Sequence, residues 1–476
     1  MAKGSAISFI GGTAIAVLLL FCGPSDVRGG APESSDDQGA NTTTYQAWQD
    51  HLAGEGITIS FQWQADVFGN VRGGSREGAV TDGLVRQDLD LDCQKLTRLA
   101  FFDDTEIHVE GIYPYGTDIS TLVGDIGGVN NNAAYNSPRL NEIWFQRRFQ
   151  VGTANSSVRT GLMGADQEFD VNGTGSLFIN SSFGAPLGFS GNAPIPTYPF
   201  TALGFRVDFS AGNERYLKVN FRSGVYDGNS AAPKFGPFAV GAPTSPAYNK
   251  YGVDFHLNPS SGLIFLNELD FDFLSREPSA LPAKDSGHWF FGPGHLLFGG
   301  FYATNRFENI YEAELQTFGA PGAHGRIREV SGDYGIYVLL EQKFYEDAPG
   351  SPNGLFLFGR GCRLPNDRNF ITVSVDAGAV YKGIFRRQKE SQDSLGIGFV
   401  YNSVSDNVRH AVAVARNEGV QGVLNFGSEP VLEATYVLPM TGHWQLQPDL
   451  QWVIRPGSSD AFRNALVIGL RSSLTF

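Results

Sequence analysis

Charged and amide side chains occupy every second position of two short stretches. Arg206 and Asp208 alternate with Phe205, Val207 and Phe209, and Lys218, Asn220 and Arg222 alternate with Leu217, Val219 and Phe221. A two-residue period places one set on each face of a strand, so one face suits water and the other an apolar medium. Asp166 and Glu168 stand just upstream of residues 170–201, a long segment of glycine, proline, asparagine and aromatics without sustained alternation. A loop of that length usually carries function. Acidic and basic groups facing one another supply hydrogen-bond donors and acceptors together with a transverse field. Such a surface orients a dipolar solute through weak bonds and lets it go. At each position the plainer reading, a charge that merely solvates a wall, competes with this one.

Covalent chemistry finds no support in the sequence. There is no Gly-x-Ser-x-Gly elbow, and the eight histidines are scattered rather than grouped with a nucleophile. His288 and His295 are too far apart for a short metal-ligand pair, so neither a metal nor another cofactor is expected. The formal charge of −14 and the lack of a basic block argue against nucleic acid. Loss of Cys22 with a leader would leave Cys93 and Cys362, which an oxidising compartment would permit to bridge.

The alternation that positions these residues recurs along most of the chain. It is found at Val253–Leu257, Leu269–Phe273, Ile371–Val375 and Leu450–Ile454. In the final strand, Leu466, Ile468, Leu470, Leu474 and Phe476 share one parity, while Gly469, Arg471, Ser473 and Thr475 share the other. The 59 glycines and 24 prolines punctuate short strands, and no interior segment reads as a long amphipathic helix. Ile10–Cys22 follows Lys3 and reads as the apolar core of a secretory signal, too short and glycine-broken for a membrane span. No later apolar run is long enough for a membrane helix. A spanning β-barrel, whose outward residues are diluted by inward ones, reconciles membrane residence with a mean hydropathy of −0.15. The expected organisation is a cleaved signal over 1–30, a flexible polar lead-in over 31–44 and a single all-β transmembrane barrel over 45–476. Aromatics at strand ends, among them Tyr113, Tyr115, Trp144, Phe145, Trp289, Phe290, Phe291, Tyr381, Tyr401, Trp444 and Trp452, read as interface girdles.

From about Thr44 onward the chain resembles the carbohydrate-selective porins of the OprB type. The resemblance rests on several ordered blocks: Trp48–Thr58, Asp88–Leu96, Gly161–Phe169 with Phe178–Gly184, and the stretch from Pro430 through Trp444–Gly457 to Arg471. It implies an antiparallel barrel of about 16 strands, a short N-terminal periplasmic helix and an infolded constriction loop. It further implies passive diffusion of neutral sugars across the bacterial outer membrane. Within that frame Asp166, Glu168, Arg206, Asp208, Lys218, Asn220 and Arg222 are the pore-lining candidates. The implied partners are outer-membrane lipid and the barrel-assembly machinery, engaged through Phe476. Porins commonly trimerise, which makes a homotrimer an expectation without an assigned interface. The main alternative is a general or anion-selective porin, and the acidic balance weakens its anion version. An outer-membrane barrel enzyme or an adhesive barrel comes further behind.

Overall fold

The computed structural model describes residues 38–213, 216–228, 249–255, 257, 261–273, 288–289, 292–321, 323, 325–348, 351–385 and 393–476. Among the described residues sixteen long antiparallel strands run in chain order. They are β1 (Ile57–Gly74), β2 (Gly78–Asp92), β3 (Thr105–Gly116), β4 (Arg139–Val151), β5 (Ala154–Met163), β6 (Ala202–Asn213), β7 (Leu217–Asp227) and β8 (Leu263–Phe273). Then follow β9 (Gly294–Glu308), β10 (Glu329–Glu346), β11 (Gly354–Arg363), β12 (Ile371–Lys382), β13 (Ser394–Val404), β14 (Ser428–Pro439), β15 (Trp444–Val453) and β16 (Arg463–Thr475). A two-residue segment, His288–Trp289, pairs onto the end of β10. Each long strand pairs with the next, and β16 pairs with β1 from Gln62↔Thr475 to Gly74↔Arg463. Phe476 seals this seam: its N–H donates to the Phe61 carbonyl at 2.9 Å, and the Phe61 N–H donates back to the Phe476 carbonyl at 3.0 Å. Closure removes the unpaired sheet edges that hydrocarbon would not tolerate.

The alternation read from the sequence becomes outside and inside. On β16, Ile468 and Leu470 are 51% and 45% exposed on the outer face, whereas Arg471 and Ser473 are 5% and 2% exposed and face inward. Val253, Phe255 and Leu257 depart from the expectation. They belong to an irregular segment, not a strand, and Tyr251 beside them accepts a hydrogen bond from the Leu140 N–H at 2.9 Å. Trp144 is likewise no girdle residue. It shares the parity of Glu142 and Gln146, and its ring is buried on the inner side. Tyr113, Trp444 and Trp452 do lie exposed on the outer face. The side chains of Trp289, Phe290 and Phe291 lie outside the described residues.

Long connections gather at one end of the barrel, over 117–138, 164–201, 309–328 and 405–427. Short turns such as 152–153 and 440–443, together with the C-terminus, lie at the other, which orients that end to the periplasm. Helix α1 (Gln38–Glu55) leads into β1 at the periplasmic end, and it begins inside the segment expected as a flexible lead-in. The signal over 1–30 lies outside the described residues. Helix α2 (Cys93–Thr97) is capped by the Asp92 carboxylate, which accepts from the Lys95 N–H at 3.0 Å. Helices α3 (Ile310–Thr317) and α4 (Asp406–Asn417) pack together over the opposite mouth, where α4 buries Val408, Ala411, Val412 and Ala415. Cys93 and Cys362 are buried free thiols, so no bridge joins them.

Loops 117–138 and 164–201 both turn into the barrel and create an apolar core there. Ile119, Val129, Phe178, Ile179 and Phe183 pack on Phe68, Phe358, Val400, Val431 and Val467 of the wall. On the other side Phe169 and Phe189 pack on Tyr226, Leu266, Phe301 and Tyr337. Burying each such phenylalanine contributes about 2–3 kcal/mol. The fit is closest at the seam, where a Cβ on Gly469 would stand 2.0 Å from the Phe68 ring. A larger residue there must displace the ring from a packed wall. Gly469→Val should therefore destabilise the closed barrel by about 1–3 kcal/mol. The check is the loss of the heat-modifiable folded band in gel shift; an unchanged melting profile would contradict the packing described.

Candidate pore constriction

Backbone folded into a barrel interior has no sheet partner, and its N–H and C=O groups must still be bonded. The wall provides for loop 164–201 with carboxylates. Glu433 on β14 accepts from the N–H groups of Ile179 (2.7 Å) and Asn180 (3.0 Å). Glu341 on β10 accepts from Gly173 (3.1 Å) and from Thr174, and Glu268 on β8 accepts from Asp170. Carbonyls are gathered by one guanidinium. Arg360 on β11 donates to the carbonyls of Asp170 (2.8 Å), Ser182 (3.0 Å), Phe183 (2.7 Å) and Gly184 (3.2 Å), while its Nε donates to Asp376 at 2.8 Å.

Loop 117–138 is docked by the same chemistry. Glu429 accepts from Ile126 (3.0 Å), Gly127 (2.9 Å) and Gly457 (2.7 Å). Asp66, paired with Arg471 at 2.9 Å, accepts from the amides of Asn130 and Asn132, each at 2.9 Å. The two loops also bond to each other, with the Asn131 N–H donating to Ile179 O at 2.9 Å and the Ser181 N–H to Gly128 O at 2.8 Å. Sequence reasoning marked the second loop and missed the first. The signal was the glycine and asparagine run Gly127–Asn132, flanked by strands with inward acids.

What remains beside the loops is a charged strip on β5–β8, where five of the expected residues meet. Glu168 reaches from the loop to Arg159, and to Arg206 at 2.9 Å. Arg222 lies 3.1 Å from Asp208 and 3.5 Å from Glu268. Asn220 donates to Asp272 at 2.8 Å. Lys218 stands in register with Asp272, farther toward the periplasm. Asp166 is apart from this group and serves the loop itself, accepting from the Tyr198 N–H at 2.9 Å. The sequence reading missed Arg159, Trp144 and His108. Arg159 lies 3.7 Å over the Trp144 ring, His108 stacks on that ring at 4.7 Å, and the indole N–H donates to Glu142 at 2.9 Å. Strict parity places all three on the inner face with the neighbouring acids. Acidic residues flank the basic strip on both sides: Asp88, Asp90 and Glu110 on β2 and β3, Asp270 and Asp272 on β8.

Removing Arg360 would strand Asp376 and four loop carbonyls in a dry interior, at a cost of about 3–5 kcal/mol. Arg360→Ala should undock the loop, measured as larger and noisier single-channel conductance; a channel indistinguishable from the parent would refute the clamp. Asp170 supplies a pH test. Burial, reinforced by Asp376 and Glu268 against the pull of Arg360, pushes its carboxyl up to about 8. A carboxyl raised in the folded state favours folding at low pH, and that contribution fades as pH rises from the ordinary carboxylate range through about 8. Loop docking should weaken as pH rises from about 4 to about 8 and level off above it, seen as rising open-channel noise. Asp170→Asn should flatten that rise, and an unaltered profile would remove Asp170 from the account.

Comparison with known proteins agrees with this architecture. Residues 76–476 match the family described as Carbohydrate-selective porin, OprB family. The chain is 25% identical over 192 residues to Porin B of Pseudomonas aeruginosa, a match covering 39% of this chain and 41% of that protein. It therefore spans less than half the length of that relative. The high-pH structure of Pseudomonas putida OprB shares the fold, with a TM-score of 0.73 at 20% identity over 95% of this chain and 100% of that one. With the matched family profile running from β2 through β16, the chain belongs to the carbohydrate-selective porins of the OprB family, and its barrel resides in the bacterial outer membrane.

Proposed function

We propose that the chain is a passive channel for neutral sugars, with the strip on β5–β8 as the surface that a passing sugar touches. One observation carries the reading over a general or anion-selective porin. The arginines of the strip are paired, Arg206 with Glu168 at 2.9 Å and Arg222 with Asp208 at 3.1 Å, with Arg159 also on Glu168. Pairing cancels much of the net field that would draw anions and leaves N–H donors beside carboxylate acceptors. A polyhydroxylated, uncharged ring uses both. Binding through a few such groups at a wet surface stays weak, as passage requires.

The further parts of the reading are proposals on the same footing. Export proceeds through a signal over 1–30, followed by the lead-in over 31–44 and the barrel domain over 45–476. The outward belt contacts outer-membrane lipid, the barrel-assembly machinery engages the strand that ends in Phe476, and the mature protein assembles as a homotrimer. No chemical step is assigned to the chain.

The test is single-channel conductance in a planar bilayer, titrated with glucose, maltose and a charged solute of similar size. Saturable block by the neutral sugars is the expected result. Arg222→Ala should weaken that block about five- to tenfold, the loss of one hydrogen bond worth about 1–1.4 kcal/mol net, and should shift the channel toward cations. Conductance unaffected by any sugar would demote the chain to a general porin.

A further inference from the structure

We propose that Asp270, Asp272 and His295 form a divalent-cation site in the lumen wall, with zinc as the ion that fits best. The two aspartates share the inner face of β8, and His295 on β9 stands in register opposite Asp272. One ligand atom from each of the three lies within 4.8 Å of the others. His295 Nδ1 is 3.7 Å from Asp270 Oδ1, close to the roughly 3.4 Å separation of ligands around a tetrahedral zinc. Asp270 Oδ1 is buried and has no hydrogen-bond partner. Asp272 accepts from the Asn220 amide at 2.8 Å, and Lys218, in register beside it, makes no ion pair with it. Two carboxylates on one face therefore converge without a lysine or arginine in ion-pair contact, an arrangement that a bound dication relieves.

The donor set selects the ion. One imidazole nitrogen with two carboxylate oxygens suits zinc, whereas magnesium and calcium prefer all-oxygen shells. The far side of the ring is occupied as metal-bound histidines require, because His295 Nε2 lies 2.6 Å from Glu341 Oε2, although the ring is not turned to make that contact linear. Glu341 in turn holds the N–H groups of Gly173 and Thr174, so the site is one residue removed from the constriction loop. A second group, Asp88, His108 and Glu110, is less suited. There Arg86 lies 3.5 Å from Glu110, and Asp90 is already 2.6 Å from His108 Nδ1.

The experiment is titration calorimetry of the full chain, folded in detergent and stripped with chelator, against zinc chloride alone and then magnesium chloride alone. One zinc per chain is expected, with no saturable magnesium binding. His295→Ala and the near-isosteric Asp270→Asn should each weaken zinc binding at least tenfold, while His108→Ala leaves it unchanged. Gel-shift heat modifiability verifies that each variant is a closed barrel, and Asp272→Asn replaces any that is not. Absence of saturable zinc binding, binding that survives both variants, or binding lost with His108→Ala would overturn the site. Because no sugar is involved, this outcome is independent of the solute the channel passes.

Discussion

The structure depends on one demand, that polypeptide folded into a barrel must still bond its backbone. Loops 117–138 and 164–201 fold into the barrel and pack on its wall, and neither forms a strand or a long helix that could satisfy itself. Wall side chains do so instead: Glu268, Glu341, Glu429 and Glu433 collect N–H groups, and Arg360 collects carbonyls. A carboxylate accepting two N–H groups resembles an anion at a helix N-terminus, with charge-assisted bonds stronger than neutral ones. The apolar clusters under the loops add area, but the polar latches set where each loop lies. A latch with one partner removed is worse than none, since the other is left buried and unpaired.

The same wall serves two purposes. Some of its charges, such as Glu341 and Glu433, are spent on the loops, while others, such as Asp208 and Asp272, pair with neighbouring strands. Arg222 shows the transition, because it pairs with Glu268, which holds the loop, and with Asp208, which does not. Charge neutralised strand by strand yields a surface rich in hydrogen-bonding groups but modest in net field. That combination offers donors and acceptors without a strong preference for one sign of charge.

The sequence by itself determined the barrel. Two-residue alternation is local, and with one face in lipid a slip of one residue would reverse every side chain, so parity in Leu466–Phe476 or Leu217–Arg222 translates directly into inside and outside. The same parity contained the inward position of Trp144, even though its bulk suggested a girdle. Tertiary structure alone decided which inward residues hold a loop and which pair along the wall. Glu268 and Asp270 are alike in sequence, two residues apart on one strand, yet one latches Asp170 and the other lies beside His295. The loop carbonyls that Arg360 gathers lie 176 to 190 positions away, and nothing in local pattern connects residues so separated. Whether a charge solvates, clamps or binds depends on which backbone folds back against it, and loop closure over such distances is specified by packing in three dimensions.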